Sequence, residues 1–423
     1  MKKRKIGIVG TSNSGKTMLL TSLLWHLENH DPSRFELKND ARICNFRLIP
    51  RKEHNFAFHR HKNTMLRESR WPEKSMDFSI AECRFQFSGR LRERQLTFVD
   101  IPGERISDIL LWKSKDYRAW VDALVNFWES DPAIEQIMKD YREAAARTDS
   151  TLPQLAEAYK RALWGMLENF CQVTPSTYFL DTDGSLIKQD ADKERAIRER
   201  PIWKGGELLP LPGSWGKAHP AEYREMEKTF RAYRAQVLKP LFREIDGCDN
   251  FIFCVDIPGI LNNGPACLMQ TQQTFRDLIN NLAPSMFMRL VNFLGGTRPR
   301  LAYVATKSDL ILARDRLNDL LEDFARTFNF KGIREAFFVC SACVSSEMKS
   351  RNGKNVLVGR DCDPADDPLD AGKLLSLPAD LPNEWPPNWD RADYNFQEIA
   401  PKPGSAIRPP EQFNLNAIFE FIL

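Results

Sequence analysis

A glycine-rich loop lies near the start of the chain, between a β-forming run and a helix-forming run. Residues 10–17 are Gly-Thr-Ser-Asn-Ser-Gly-Lys-Thr, and they follow the apolar residues 6–9 and precede the apolar residues 18–20. The two glycines, Gly10 and Gly15, allow a tight turn in which several backbone N–H groups point at one anion. The pattern G-x-x-x-x-G-K-[ST] therefore predicts a strand, a phosphate-binding loop and a helix in that order.

The residues of this loop have separate expected roles. Lys16 would reach the β- and γ-phosphate oxygens and stabilise the charge of phosphoryl transfer, whereas Thr17 would place its hydroxyl on a Mg²⁺ ion. Backbone N–H groups complete such a site. The nucleotide-contacting positions expected in the loop are Asn13, Ser14, Gly15, Lys16, Thr17 and Met18. The predicted ligand is a nucleoside triphosphate with Mg²⁺.

The composition is typical of a globular protein. The 423 residues are 42 % hydrophobic and 28 % charged, which is enough to bury one large core or two smaller ones. The formal net charge is only +3 and the basic residues form no long block, which argues against binding to nucleic acid. The expected partners are therefore the nucleotide and an unidentified protein partner or effector.

The cysteines and the amino terminus predict the compartment. The nine cysteines follow no spacing of a disulfide framework, so a reducing, cytoplasmic environment is expected. The basic residues 2–5 resemble the start of a signal peptide, but the apolar run after them ends at Gly10 and is interpreted as a strand. No stretch approaches 18 uninterrupted apolar residues, and no lipid-anchoring motif is evident. We expect no direct insertion into a membrane, whereas peripheral association through a protein partner stays open.

Two Asp-Ile-Pro-Gly segments compete for the role of the carboxylate on the magnesium side. They begin at Asp100 and Asp256, and each follows an apolar run. Residues 78–99 predict a hairpin that leads into Asp100, whereas helical periodicity follows Asp256 until the next predicted strand at 301–305. The choice of Asp256 would leave the sheet one strand short of the usual nucleotide-switch arrangement. Asp100 is therefore the predicted metal ligand, and Asp256 the end of a later core strand.

A third motif follows the predicted strand at 301–305. Thr306, Lys307 and Asp309 belong to a Thr-Lys-Ser-Asp sequence that resembles the [NT]-K-x-D loop with which guanine-nucleotide proteins recognise the base. The carboxylate of Asp309 can accept hydrogen bonds from the N1–H and the exocyclic amine of guanine, an arrangement that adenine does not offer. The methylenes of Lys307 are expected to lie on the base. This motif favours GTP and GDP as the bound nucleotides.

A Ser-Ala-Cys segment is expected on the same side of the base. Ser341, Ala342 and Cys343 follow a further apolar run, and they resemble the loop whose backbone N–H meets the guanine O6. Cys340 and Cys343 also form a lone C-x-x-C pair. Because it has no second pair and no nearby histidine, we interpret this pair as part of the nucleotide loop rather than as a metal or redox centre. Three histidines among basic residues are likewise interpreted as part of a solvated loop, namely His54, His59 and His61.

These motifs, together with several less common segments, resemble one protein family. The additional segments are 71–75 before the predicted hairpin, 239–243 before the central strand, 255–256 and 261–265 after it, and 415–423 at the carboxyl end. Over nearly its whole length the chain resembles the YcjX-like family of bacterial stress-associated P-loop NTPases. The resemblance implies a Ras-like nucleotide domain interrupted by helical insertions and a preference for guanine, although such proteins have also been labelled ATPases.

The resemblance implies roles for four residues near the phosphate loop. Ser75, where the family tends to have Thr, is expected either to close over Mg²⁺ and the γ-phosphate or to be an ordinary strand-capping serine. Arg70 is interpreted either as an arginine finger in cis or as a surface arginine. Gly103 is expected to donate its N–H to the γ-phosphate. Glu104 occupies the position where a glutamine often orients the attacking water, so its negative charge predicts slow or partner-dependent hydrolysis.

Helical patterns dominate the middle of the chain. Asp131 followed by proline predicts a helix start, and apolar stripes predict further helices over 155–167 and 220–237. Residues 171–218 show few regular patterns. Residues 345–412 are interpreted as a long irregular excursion.

The order of these elements predicts the domain organisation. Residues 1–104 and 249–423 are expected to form a nucleotide-binding domain, and residues 105–248 a mainly helical insertion domain. The predicted fold class is α/β: a P-loop NTPase with a Ras-like, doubly wound mixed sheet and a large helical insertion. An insertion attached next to a switch loop is well placed to report the nucleotide state.

The sequence therefore predicts a stress-associated molecular switch that hydrolyses GTP to GDP with Mg²⁺. Two alternatives stay open: an ATPase, and a scaffold protein that binds nucleotide mainly for stability and hydrolyses it slowly, as Glu104 permits. Equal competition by ATP would favour the ATPase, and single-turnover hydrolysis separates the scaffold from the switch.

Overall fold

The polypeptide forms two compact units. The computed structural model describes residues 2–72, 77–169, 173–180, 190–292, 299–328, 333–351, 354–361, 374–377, 381–402 and 408–423. Unit 1 comprises Met1–Pro102, Ile245–Leu268 and Leu282–Leu423. Unit 2 comprises Gly103–Glu244 and Met269–Asn281.

Unit 1 is built on a mixed β-sheet. Its strands within the described residues are β1 (Lys2–Gly10), β2 (Ile43–Ile49), β3 (Ser79–Phe87), β4 (Arg94–Asp100), β5 (Asn250–Val255), β6 (Arg300–Ala305) and β7 (Arg334–Val339). Their order is β2-β3-β4-β1-β5-β6-β7. The run from β4 to β7 is parallel, whereas β2 and β3 pair antiparallel with their neighbours. The carboxyl ends of β4, β1, β5, β6 and β7 therefore meet at one edge of the sheet.

A second, smaller sheet belongs to the same unit. It consists of β8 (Glu347–Arg351), β9 (Lys354–Arg360) and β10 (Leu374–Leu377) in the order β10-β9-β8, and both pairings are antiparallel. This sheet lies in a stretch that sequence patterns predicted to be irregular, so that prediction was wrong there. The Asn-Gly dipeptide at 352–353 is a hairpin signal in the sequence between β8 and β9.

Helices precede, follow and connect the strands. They are α1 (Lys16–Glu28), α2 (Phe58–Asn63), α3 (Gly103–Ile106), α4 (Ile109–Lys113), α5 (Tyr117–Glu129), α6 (Pro132–Ala146), α7 (Leu152–Asn169), α8 (Thr177–Leu180), α9 (Asp190–Glu199), α10 (Gly213–Ala218), α11 (Pro220–Tyr233), α12 (Lys239–Asp246), α13 (Ile257–Asn263), α14 (Pro265–Asn292), α15 (Arg314–Ala325) and α16 (Leu415–Ile422). None of these helices, over the residues described, combines the length and the apolarity needed to cross a membrane.

The core of unit 1 fixes the helix that follows the phosphate-loop sequence. Leu20 and Leu24 of α1 are fully buried in one apolar cluster with Phe85 of β3 and Phe419 of α16. The ring centroids of Phe85 and Phe419 lie 5.8 Å apart. Each such side chain stabilises the fold by roughly 1.5–3 kcal/mol relative to an exposed one. Because α1 is held against the sheet, the loop before it has a defined position at the sheet edge.

Unit 2 is helical and has a buried polar centre. The side chain of Asp108, which immediately precedes α4, is fully buried. Its carboxylate accepts hydrogen bonds from Thr174 Oγ1 at 2.8 Å, Ser176 Oγ at 2.6 Å and Tyr233 OH at 2.7 Å, and from the Ser176 N–H at 3.0 Å. Burial raises the pKa of Tyr233, so its phenol remains a donor. Four hydrogen bonds match the capacity of one carboxylate, which offsets the cost of burying its charge.

Several sequence predictions can be compared with these elements. The expected α/β class with a mixed sheet is confirmed, as are the hairpin (β3 and β4) and the strand at 301–305 (β6). Asp131 caps α6 by accepting from Ala133 N at 2.8 Å, also as predicted. The edge strand β2 and the charged helix α9 are among the elements that the sequence patterns did not predict. β2 carries a register shift between Cys44 and Arg47, so its apolar residues do not alternate regularly.

A buried histidine in α1 predicts a pH dependence of stability. His26 is fully buried, and burial lowers its pKa to about 4. Between pH 6.5 and 4 the unfolded chain binds a proton at this position that the folded chain does not, so stability is lost as the pH falls. From those two pKa values the loss at pH 5 is about 2 kcal/mol.

The test is a pair of urea titrations, at pH 7 and pH 5, on the wild type and on His26→Gln. Glutamine keeps an N–H donor for the Pro410 carbonyl, which lies 3.0 Å from His26 Nε2, but it does not titrate. We expect the variant to lose about 2 kcal/mol less than the wild type between the two pH values. A variant of the exposed His59, His59→Gln, is the control and should behave as the wild type. Equal losses in His26→Gln and the wild type would contradict the assignment.

Candidate functional site

The loop between β1 and α1 has the backbone of a tight anion-binding turn. Gly15 has a φ of 78° and Asn13 a φ of 61°, both in the left-handed region. Ser14 donates from Oγ to the Thr11 carbonyl at 2.8 Å and is fully buried. Gly10 is constrained by space, since a methyl group there would lie 2.4 Å from Ser14 Oγ and 2.5 Å from the Cys254 carbonyl oxygen. The sequence of the loop thus forms one defined conformation next to the amino end of α1.

Lys16 turns back over this loop. Its side chain is only 7 % exposed, and its Nζ donates to the Thr11 carbonyl at 2.7 Å. In the part of the chain that the structure describes, no carboxylate forms an ion pair with Lys16. A buried ammonium with neutral oxygen partners favours an anionic ligand, because an anion would compensate the cost of burying the charge.

Thr17 and Asp100 meet at the start of α1. The Thr17 hydroxyl donates to Asp100 Oδ2 at 2.8 Å, although 83 residues separate them along the chain. The register of the parallel pair β1 and β4 aligns Ile8 with Asp100, and this alignment brings the carboxylate beside the loop. Asp100 is 1 % exposed. The two oxygen-bearing side chains predicted as metal ligands are therefore adjacent.

This pair has the donor chemistry that Mg²⁺ prefers. Magnesium sites on phosphate ligands use one or two carboxylates with hydroxyl, water and phosphate oxygens rather than a cage of protein side chains. Thr17 and Asp100 supply one hydroxyl and one carboxylate. Among the described residues there is no group of three or more His, Cys, Asp or Glu side chains that would hold a metal alone. The residues present fit a magnesium ion shared with a phosphate.

Asp256, the other candidate carboxylate, has different contacts. Its Oδ1 accepts from the Gly259 N–H at 3.0 Å and so caps the amino end of α13. Its Oδ2 accepts from Lys307 Nζ at 2.6 Å. Asp256 therefore links the end of β5 to the loop after β6, and among the described residues it forms no hydrogen bond with Thr17.

The Thr-Lys-Ser-Asp loop lies at the carboxyl end of β6, beside the phosphate loop. A methyl group on Gly15 would lie 3.8 Å from Thr306 Cβ, so the two loops are in van der Waals range. Lys307 has a φ of 57°, in the left-handed region. Burial lowers the pKa of Lys307, but Asp256 and Glu398 outweigh burial and raise it above its ordinary value. Lys307 is therefore a fixed cation at neutral pH.

Asp309 is held in place by the serine-containing loop after β7. Its Oδ1 accepts from Ser341 Oγ at 2.8 Å and its Oδ2 from the Ser345 N–H at 2.9 Å. The side chain of Asp309 is 5 % exposed. A carboxylate has about four acceptor positions, so each oxygen keeps capacity for a further donor. Ser345 was missed in the sequence, because a backbone donor outside the Ser-Ala-Cys segment has no side-chain signature.

The Ser-Ala-Cys segment is anchored on both sides. The Ser341 N–H donates to the Phe413 carbonyl at 3.1 Å, and the Ala342 carbonyl accepts from Ser22 Oγ at 2.5 Å. The prediction for this segment is a backbone N–H that meets the guanine O6. The N–H of Ser341 already has a partner, so Ala342 and Cys343 keep that expected role. Burial raises the pKa of Cys343 to about 12 and that of Cys340 well above its ordinary value, so both are protonated thiols at neutral pH.

The remaining predicted site residues are Arg70, Ser75, Gly103 and Glu104. Arg70 is exposed, and with Arg60 and Arg67 it lines an open hollow of about 570 Å³. Ser75 lies outside the described residues. Gly103 and Glu104 begin α3 in unit 2, where the Glu104 carbonyl accepts from Ser107 Oγ at 2.6 Å.

The predicted histidine loop is held by aromatic contacts. His54 stacks on Phe78 with ring centroids 4.0 Å apart, and its Nδ1 lies 3.6 Å from Asp77. His61 packs on Phe56 at 5.1 Å. His59 and His61 lie on α2 and His54 precedes this helix, so the prediction of a solvated loop was wrong for the two helical residues.

The close packing around Gly10 predicts the effect of one methyl group. Gly10→Ala would force Ser14 or the Cys254 backbone to move, which should cost about 1–3 kcal/mol of folding free energy. The control is Gly213→Ala, because no atom lies within 4 Å of a methyl group there and its φ is not positive. Urea-unfolding midpoints compare the two, and a midpoint for Gly10→Ala equal to that of the wild type would show that the loop has a different conformation.

Comparisons with known proteins identify the family. A solved chain of the signal recognition particle receptor SRb-GTP/SRX complex from Chaetomium thermophilum is 12 % identical, and the match covers 84 % of this chain and 94 % of that one. Its TM-score of 0.29 is too low to support an argument about this chain. No curated protein matches the sequence. The model of the YcjX-like family, DUF463, matches residues 4–423, and the chain belongs to that family.

Proposed function

We propose that this protein is a P-loop NTPase with a Ras-like, doubly wound sheet that binds GTP and GDP with Mg²⁺ and hydrolyses GTP. The observation that carries the proposal is the 2.8 Å hydrogen bond between Thr17 and Asp100. It joins the last residue of the glycine-rich motif to the end of a neighbouring parallel strand, at the edge where open α/β sheets bind ligands. The proposal places the phosphates on the loop before α1.

In this proposal each loop residue has a separate role in binding the phosphates. Lys16 would exchange its contact with the Thr11 carbonyl for phosphate oxygens and so replace a neutral partner by a charged one. Thr17 and Asp100 would hold Mg²⁺, which neutralises charge on the triphosphate when it is bound. The N–H groups from Asn13 to Met18 would cradle the phosphates.

The choice of guanine rests on the position of Asp309. Its carboxylate is fixed by Ser341 and Ser345, so it is preorganised to accept from N1–H and the exocyclic amine of a guanine base. Lys307 would lie along the base, and Thr306, Ala342 and Cys343 would complete the base pocket. Adenine has an acceptor at N1, so it would not satisfy the acceptor positions of Asp309 that Ser341 and Ser345 leave open.

Hydrolysis is proposed to be slow without a partner. Glu104 follows Asp100 by four positions, where a water-orienting group is expected, and it brings a negative charge instead of an amide donor. Gly103 would donate its N–H to the γ-phosphate. Ser75 would supply the switch hydroxyl and Arg70 a charge-stabilising guanidinium, two roles that stay open.

The proposed biological role is that of a cytoplasmic, stress-associated switch. The chain enters unit 2 at Gly103, directly after the Asp100 segment, so a change in that segment would be transmitted to α3 along the backbone. Unit 2 would then present the nucleotide state to an unidentified protein partner. Membership of the YcjX-like family supports this role.

Base selectivity tests the nucleotide assignment. In competition binding we expect GTP and GDP to displace a fluorescent GDP far better than ATP, and Asp309→Ala to weaken guanine nucleotides about hundredfold through two lost charged hydrogen bonds. Asp309→Asn replaces an acceptor by a donor and should shift the preference towards xanthine nucleotides, which separates altered recognition from misfolding. Asp319→Ala, at an exposed site on α15, is the control. Equal binding of ATP, unaffected by Asp309→Ala, would favour an ATPase.

Single-turnover hydrolysis tests the role of Glu104. Replacement by glutamine removes a negative charge near the proposed γ-phosphate site and restores an amide donor, so Glu104→Gln should raise the rate about tenfold or more. The exposed Glu129→Gln is the control for charge alone. If the wild type binds GTP and neither protein hydrolyses it, the scaffold role is favoured over the switch.

A further inference from the structure

A segment of the carboxyl-terminal excursion is hydrogen-bonded to α13, the helix that follows β5. Residues 389–400, here called the strap, begin with Trp389, whose Nε1 donates to the Leu261 carbonyl at 2.8 Å. Phe396 exchanges two hydrogen bonds with the side chain of Asn262, at 2.8 and 2.9 Å. Leu261 and Asn262 belong to α13, the helix that Asp256 caps. The strap therefore has a fixed position on the element that follows β5.

The strap contains a carboxylate, Glu398, that lies close to Lys307 in the loop after β6. Glu398 Oε1 lies 3.7 Å from Lys307 Nζ, which also donates to Asp256 at 2.6 Å. The side chain of Lys307 is 25 % exposed and that of Glu398 60 % exposed. One ammonium is thus held between a buried carboxylate and a carboxylate at the rim. Together the two restrict the direction in which the methylenes of Lys307 run.

The residue after Glu398 is fixed by a tryptophan from another part of unit 1. Trp71 Nε1 donates to the Ile399 carbonyl at 2.7 Å. Ile399 is 3 % exposed and packs closely on Gly359: a methyl group added to Gly359 would lie 2.6 Å from Ile399 Cδ1. Trp71 follows Arg70 directly. The strap therefore links Lys307, in the loop after β6, to Trp71.

We infer that the strap contributes to the nucleotide site. Glu398 positions Lys307 along the base, and the Trp71–Ile399 hydrogen bond keeps Glu398 close to Lys307. Both contacts slow nucleotide dissociation, because the base cannot leave until Lys307 is free to move. The inference rests on the proposed function and adds Glu398 and Trp71 to it as positioning residues.

The experiment measures release of bound N-methylanthraniloyl-GDP from the full chain in the presence of Mg²⁺. Trp71→Phe removes one N–H donor and Glu398→Gln removes one charge, and each should speed release about two- to tenfold. The matched controls lie on the same excursion. Trp385→Phe removes an equivalent N–H bonded to the Leu320 carbonyl at 2.9 Å, and Glu384→Gln alters an exposed carboxylate; both should release GDP at the wild-type rate.

A salt series separates positioning from a general loss of stability. The rim pair of Glu398 and Lys307 is exposed to screening, so release from the wild type should speed up with ionic strength, and the increase should be smaller in Glu398→Gln, where only the contacts of the charged nucleotide are screened. The unfolding midpoints of Glu398→Gln and the wild type should be equal, since an exposed charge such as that of Glu398 contributes little to folding. Wild-type release rates in both Trp71→Phe and Glu398→Gln would overturn the inference and leave the proposed function standing. Failure of the wild type to bind the labelled GDP would overturn both.

Discussion

The parallel alignment of β4, β1, β5 and β6 is the constraint on which the candidate site depends. It puts the carboxyl ends of four strands, far apart in sequence, at one edge of the sheet. Because β1 and β4 pair with Ile8 opposite Asp100, the carboxylate lies beside the loop that ends in Thr17. A shift of register by one residue would turn Asp100 to the other face of the sheet and separate the pair.

Charge is distributed along this edge in two groups. Asp100 lies beside Thr17 at the phosphate end, whereas Asp256 and Glu398 hold Lys307 at the base end. In the described structure Lys16 bonds to neutral oxygens, whereas Lys307 bonds to a carboxylate. In the proposed function this asymmetry has a physical reason: the phosphates supply the anion that Lys16 requires, and the uncharged base supplies none for Lys307.

Sequence patterns predicted the parts of the fold that local chemistry determines. The motif around Lys16, the hairpin before Asp100 and the cap at Asp131 each depend on neighbouring residues, so they were visible without a structure. Two long-range hydrogen bonds were not predicted. The bond from the Ser345 N–H to Asp309 and the bond from Trp71 to the Ile399 carbonyl join residues 36 and 328 positions apart, and only the tertiary fold brings them together. The roles of the site residues stay predictions.

Calorimetric titration of GTP into the nucleotide-free protein, with and without Mg²⁺, tests the central claim most directly. The account predicts that magnesium strengthens binding to the wild type, that Thr17→Ala abolishes this effect, and that Thr17→Ser, which keeps the hydroxyl, preserves it. If Thr17→Ala bound GTP with the same magnesium dependence as the wild type, the pairing of Thr17 and Asp100 would not be a metal site, and the proposed phosphate-binding role of this edge would be contradicted.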